Sequence, residues 1–321
     1  MSGLGKAADA VTTEAAEAGL TDVSALRRRY DIEAAHTRLA GQWVDWAAAK
    51  TAEAVAAWCV TGAALEWSHR VGYTPDLPVD GPLGIPGAVL AARGHPTAAA
   101  ELVSAHSPLW WATPTAAPSW GDLAAAAAEH IPPGAPTGVA GLSAEWVGDL
   151  WQRLSEESRL MRALVQTPGF VADFILDRNL DAAAADDDLC PEGWDEVTLI
   201  DPAAGTGHFL TRAVSRIVDR CSLTGDAAAA HALRHVSGIE IDGHTAAFCR
   251  WRMTLAALGA AHGGPVPLAD HPMPLARCAW GDALLPWDDP LQPDRRYSYP
   301  DAAALEKAMD AYGAGQQQLD V

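Results

Sequence analysis

The residues best suited to chemistry lie at 197–210, which read Val-Thr-Leu-Ile-Asp-Pro-Ala-Ala-Gly-Thr-Gly-His-Phe-Leu. A strand-forming run meets Asp201 and Pro202, a Gly-x-Gly turn follows at Gly205 and Gly207, and an apolar pair opens a helix. Because glycine has no Cβ, this turn lets the backbone approach a ligand closely, as a nucleotide-cradling strand, turn and helix requires. A second acid ends the next apolar stretch, Val236-Ser237-Gly238-Ile239-Glu240-Ile241-Asp242. Ligands of doubly wound sheets sit at the carboxyl ends of the strands, and an acid ending the second strand accepts both ribose hydroxyls. Glu240 is therefore the expected ribose ligand. The dinucleotide fingerprint needs a third glycine at position 210, where the chain has Leu210, and this argues against NAD. The plainer alternatives are glycines that serve only tight packing and, for Glu240, an acid that caps a helix.

The elements around this turn follow from periodicity. Helices are predicted over 7–18, 22–38 and 43–70, the last with Val55, Trp58, Cys59 and Leu65 on one side and its tryptophans in the core. The Pro/Gly-rich stretch 74–87 reads as a loop. Two shorter helices are expected at 95–106 and 119–130, and a second Pro/Gly break at 131–138 places a domain boundary near 140. Ser143 is an expected cap for a helix running to about 165, and Thr167-Pro168 for another carrying Phe170, Phe174, Val171 and Ile175 on its apolar face. Downstream, helices are expected over 213–221, 227–235 and 244–258, and a third strand near 278–285. The fold class is α/β, a partial Rossmann-like sheet over 141–321 preceded by a mainly helical region over 1–140.

Composition narrows the function. Hydrophobic residues make up 49% and charged residues 20%, as in a globular chain, and no apolar run is long enough to span a membrane. A cytoplasmic protein with no membrane partner is expected. The five cysteines show no metal-ligand spacing, and His231 with His235 is a lone pair without a third ligand, so no metal is expected. The formal charge is -19, and the only lysines are Lys6, Lys50 and Lys307. Phosphate contacts supply most non-specific DNA affinity, so the chain alone should bind DNA poorly. The D/E-x-K element of restriction nucleases is absent, since Leu4, Ala48 and Leu305 stand two before the lysines.

Residues 201–210, Asp-Pro-Ala-Ala-Gly-Thr-Gly-His-Phe-Leu, resemble motif I of the adenine-N6 DNA methyltransferases. Residues 166–180, Gln-Thr-Pro-Gly-Phe-Val-Ala-Asp-Phe-Ile-Leu-Asp-Arg-Asn-Leu, are similar to motif X, 238–242 to motif II and 278–285 to motif III. Together with Val147-Gly148-Asp149-Leu150-Trp151-Gln152 and Leu154-Ser155-Glu156-Glu157, they look closest to the PglX methyltransferases of phage-exclusion (BREX) systems. The resemblance implies S-adenosylmethionine (SAM) as cofactor. It assigns SAM contacts to Thr167, Phe170, Asp201, Pro202, Ala203, Ala204, Gly205, Gly207, Glu240, Ile241, Asp282 and Ala283, with Asp282 at the adenine amino group.

Adenine-N6 methyltransferases also use an Asn/Asp-Pro-Pro-aromatic tetrapeptide. It accepts hydrogen bonds from the target amino group and stacks on a flipped-out base. No such tetrapeptide occurs here, and the lone Pro-Pro, Pro132-Pro133, precedes motif I. No catalytic residue is assigned. Cytosine-C5 chemistry needs Pro-Cys, whereas the chain has only the reverse, Cys190-Pro191. The expectation is a SAM-binding half that stops before strand four, leaves 197–200 as an exposed edge, and relies on a second polypeptide for catalysis and for double-stranded DNA. A non-catalytic SAM-binding or vestigial subunit is the alternative from another class, and a small-molecule or RNA methyltransferase is a third.

Overall fold

A computed structural model describes residues 3–18, 27, 30–31, 42–74, 119–155, 166–281 and 283. The expected helix at 95–106, nearly all of the one at 22–38, the loop beyond Thr74, residues 156–165, Asp282 and everything after Ala283 lie outside the described residues.

The amino-terminal part is helical. Helix α1 spans Gly3–Ala18, α2 Trp43–Val71 and α3 Trp120–Ala128. Alanine-rich stretches favour helix, and α2 stops where Gly72 takes φ 95° and returns its N–H to the carbonyls of Ser68 and His69. The one-sided apolar face expected for α2 is corrected: every residue from Ala54 to Leu65 is buried. Alanines on the remaining faces are small enough for α1, α3 and a later helix to close on all sides, as in any helix apolar all round. Trp67 at its end meets Trp146 and Trp251 with ring centroids 6.1 and 6.2 Å away. One buried cluster runs from Leu4 through Trp67 and Trp151 to Trp280.

Short α4 (Gly138–Leu142) and α5 (Glu145–Leu154) meet at Ser143 and Ala144. The cap assigned to Ser143 is corrected: Ser143 ends α4, and Ala144, at φ 49°, precedes α5. Ser143 is held there because its carbonyl accepts a bond from the Nε of Arg252 at 2.9 Å. Helix α5 ends at Leu154, short of the expected 165. Helix α6 (Gly169–Arg178) and α7 (Leu180–Ala184) follow.

Strands β1 (Leu199–Asp201), β2 (Val236–Glu240) and β3 (Arg277–Trp280) form a parallel sheet in that order. The register pairs Asp201 with Gly238 and Glu240 with Trp280, so the acids of β1 and β2 come to the same end of the sheet. Helices α8 (His208–Arg220) and α9 (Gly225–His235) connect β1 to β2, and α10 (Gly243–His262) connects β2 to β3. The alternation of β2, with Val236, Gly238 and Glu240 buried and Ser237 and Ile239 half-buried, turns its inner face to these helices. Among the described residues β1 is an edge with Ile200 66% exposed, while Val197, expected on that edge, is buried.

The charged faces of α6, α7 and α8 interlock. Arg212, Arg216 and Arg220, spaced by one turn on α8, meet Asp173 and Asp177 of α6 and Asp181 of α7 at 2.7 to 3.2 Å. Gly238 sets how closely β2 approaches residues 204–210, since a Cβ there would lie 2.6 Å from Leu210 Cδ1 and 2.8 Å from Ala204 Cβ. Gly238→Ala should therefore cost about 1–3 kcal/mol of stability by overpacking. Calorimetric melting of both proteins tests this, and an unchanged Tm would mean that Leu210 and Ala204 yield freely.

Candidate cofactor site

Beyond β1 the chain turns back on itself within four residues. Asp201 Oδ1 accepts the Ala203 N–H at 3.0 Å, Ala204 N–H bonds to the Ile239 carbonyl at 3.0 Å, and Gly207 N–H to the Ala204 carbonyl at 2.9 Å. Gly205 and Gly207 sit at φ 55° and 87°, where a side chain is strained. At Gly207, which precedes the first turn of α8, a Cβ would also lie 2.8 Å from the Cys249 sulfur. Burial raises the Asp201 carboxyl above its usual range, with the Ala203 N–H opposing.

Glu240 ends β2 almost fully buried, and its carboxylate spans the site. Oε2 accepts the Gly205 N–H at 2.8 Å and Oε1 the Asp242 N–H at 2.9 Å. The capping role weighed for Glu240 belongs to Asp242, which accepts both the N–H and the hydroxyl of Thr245 at 2.7 Å at the start of α10. These two backbone donors fix the orientation of the Glu240 carboxylate against the turn. The neighbouring Ile241 is 42% exposed. The end of β3 is tied in by Gly281 N–H to the Glu240 carbonyl at 2.9 Å and Trp280 Nε1 to the Ile241 carbonyl at 3.1 Å.

Asp201, Pro202, Ala203, Gly205, Gly207, Glu240 and Ile241 thus converge at the strand ends. Pro202 and Ala203 are exposed, Ala204 is buried against Gly238, and Ala283 is half-buried. Asp282 lies outside the described residues. Thr167 adjoins the turn through Gln166, whose side-chain oxygen accepts the Thr206 hydroxyl at 3.0 Å. Two expectations about the next helix are corrected. Helix α6 starts at Gly169 with Pro168 as its cap residue, not with Thr167. Its buried side is Ala172 and Leu176, while Phe170, Phe174 and Ile175 are 78%, 55% and 38% exposed. The arginine and aspartate ladder holds α6 to α8 and turns the aromatic stripe outward.

PglX of Streptomyces coelicolor, an adenine-specific methyltransferase, is 37% identical to the chain over 128 residues; the match covers 38% of this chain and 10% of that protein. A 128-residue segment of this chain is therefore similar to an adenine-specific methyltransferase of the PglX type. It spans about a tenth of the length of the relative it matches. No protein-family profile and no solved structure matches it.

The turn is held by further residues, none of them among the assigned SAM contacts. Arg252, fully buried on α10, donates from Nη1 to the Thr206 carbonyl at 2.7 Å and the Thr206 hydroxyl at 3.0 Å, besides its bond to Ser143. Burial lowers its guanidinium to about 10, with Glu145 opposing, which leaves it charged at neutral pH. Gln166 donates to the Gly148 carbonyl at 3.2 Å, and a Cβ on Gly148 would lie 2.5 Å from Thr206 Oγ1. Trp151 Nε1 donates to Thr245 Oγ1 at 2.9 Å, behind the Asp242 cap. The available signal was a pair of arginines, Arg250 and Arg252, inside a mostly apolar helical run, 246–258.

Glu145 completes this shell, 3.0 Å from His208 Nε2 and 3.2 Å from Arg212 Nη2. Burial alone would raise its carboxyl. The hydrogen bond and charge of His208, with Arg212 and Arg252, outweigh burial and hold it at about 2 against an ordinary 4.5. A carboxyl depressed by folding stabilises the fold fully above its unfolded value, and that contribution disappears as pH falls through the folded value. Wild type should therefore exceed Glu145→Gln in stability above pH 4.5, with the gap closing toward about 2. Urea melts of both proteins across that window check it. A gap independent of pH would sink the assignment.

Proposed function

We propose that the chain binds SAM at the ends of β1 and β2 and serves the methylation of adenine N6 in double-stranded DNA, in phage defence or restriction-modification. The observation that carries this reading is the position of the Glu240 carboxylate, buried at the end of β2 and held at the Gly-x-Gly turn by the Gly205 and Asp242 amides, where the acid ending the second strand of a doubly wound sheet meets a ribose. The residues present suit the group: Glu240 accepts ribose hydroxyls, Ile241 and Ala283 offer apolar surface to a base, and Asp201 supplies a carboxylate for a cationic amino-acid end. The positive-φ glycines keep that floor free of side chains, and Thr167 adjoins it beside Gln166, which bonds the turn, with Phe170 exposed in the first turn of α6. When bound, SAM supplies an electrophilic methyl group on a sulfonium.

The hydrogen bonds that would orient an adenine amino group require an Asn/Asp-Pro-Pro-aromatic element, which these 321 residues lack. We assign it, with DNA recognition, to sequence outside them, in a second polypeptide. Among the described residues β1 is an edge of the sheet, and its exposed Ile200 supports such a partner, because an edge strand with an apolar outer residue offers a row of open backbone groups.

Calorimetric titration with SAM tests the cofactor. The full chain should bind it, and Glu240→Ala should lose at least about tenfold in affinity, roughly 1.4 kcal/mol. Methyl transfer to duplex DNA, followed as N6-methyladenine, should appear only when a polypeptide bearing the tetrapeptide is added. SAM binding without restored transfer would leave a non-catalytic subunit, and binding indifferent to Glu240 would overturn the site.

A further inference from the structure

A second cluster lies far from this site. Asp226 is in the first turn of α9, His262 is the last residue of α10, and His271 follows the short 3-10 turn Leu268–Asp270 on the way to β3. Helix α10 begins beside Glu240 and has 20 residues, so its far end is about 30 Å away. There His262 Nε2 lies 2.8 Å from Asp226 Oδ1, and His271 Nδ1 lies 2.8 Å from Oδ1 and 3.1 Å from Oδ2. One ligand atom from each residue lies within 4.8 Å of the others, and the imidazole centroids are 4.5 Å apart.

We propose that Asp226, His262 and His271 form a binding site for a divalent transition-metal ion of the zinc type. Two imidazole nitrogens and one carboxylate oxygen are the donor set that zinc and its neighbours favour, whereas magnesium and calcium take oxygens alone. Zinc bonds of about 2.0–2.2 Å in tetrahedral geometry put ligand atoms roughly 3.3 Å apart. The two 2.8 Å spacings between imidazole nitrogen and Asp226 Oδ1 would therefore open by about half an ångström. The three donors come from three segments, as a metal clamp requires, and Asp226 is 46% exposed, which gives an ion and a coordinated water access. The bound ion replaces the protons that the imidazoles share with the carboxylate, and it locks the start of α9, the end of α10 and the segment leading into β3. The other close histidine pair, His231 and His235, with ring centroids 4.0 Å apart, has no carboxylate or third nitrogen in such a group among the described residues, and His235 Nδ1 is engaged by the Val197 carbonyl at 3.1 Å.

The test uses the full chain stripped with EDTA and titrated with zinc chloride by calorimetry. One ion per chain is expected, together with a raised Tm and a tetrahedral-type visible spectrum when cobalt(II) is substituted. His262→Ala with His271→Ala should cost more than the roughly 10–100-fold that loss of a supporting partner costs a metal site, whereas His231→Ala should change nothing. Asp226→Asn keeps an acceptor for both imidazoles and so preserves the fold, yet it should also weaken zinc binding. Absence of saturable binding, wild-type affinity in Asp226→Asn or in the double variant, or loss of binding in His231→Ala would overturn the proposal.

Discussion

The fold turns on one buried cation. Arg252 is placed where water cannot reach it, and leaving such a charge unpaired costs about 3–5 kcal/mol. Its three donated bonds, each of the stronger charge-assisted kind at about 1.5–3 kcal/mol, offset that cost only if all the acceptors are in place. Those acceptors are the Ser143 carbonyl, at the junction of α4 and α5, and the carbonyl and hydroxyl of Thr206, inside the Gly-x-Gly turn. One side chain thereby locks three otherwise separate pieces of chain. The glycine turn is held by α10 and through Gln166 by α5, so its shape depends on Arg252 and Gln166, 46 and 40 positions away from Thr206, as well as on Gly205 and Gly207.

The sheet adds a second constraint of the same kind. β2 can approach the motif I turn only because Gly238 has no side chain, and that approach brings Glu240 within 2.8 Å of the Gly205 amide. The carboxylate then joins the ends of β1 and β2, while Trp280 and Gly281 fasten β3 to the same point. The acid proposed to meet the cofactor is thus also a strand-to-strand bracket, and its backbone donors fix its orientation.

What was legible in the sequence is local. The turn at 201–207, the acid ending β2, and the spans of α2 and α10 depend on residues within a few positions of one another, and they were placed to within a few residues. Orientation across the chain was not legible. Helix α6 carries two candidate inner faces, an aromatic one with Phe170 and Phe174 and a small one with Ala172 and Leu176, and periodicity favours the bulkier. The deciding signal was a pair of charge ladders one turn apart, Asp173, Asp177 and Asp181 against Arg212, Arg216 and Arg220. The cap assigned to Ser143 failed because its carbonyl is claimed by Arg252, 109 residues away. Asp226, His262 and His271 share no motif spacing, and only the packing of α9 against α10 brings them together.

The charge of the chain bears on the two ligands of the proposed reaction in opposite ways. A net charge of -19 opposes a DNA duplex approaching the bare surface. The Debye length at physiological salt is about 8 Å, so distant acids are largely screened and only nearby carboxylates act strongly on a bound small molecule. Among the described residues, those at the ends of β1 and β2 include Asp201 and Glu240, half-buried and buried, where screening is weakest. A cofactor with net positive charge is favoured there by the same sign of charge that disfavours phosphates elsewhere. Binding the cofactor on an acidic chain and reading DNA on another, more basic surface is thus electrostatically consistent, whereas both tasks on this surface would pull its composition in opposite directions.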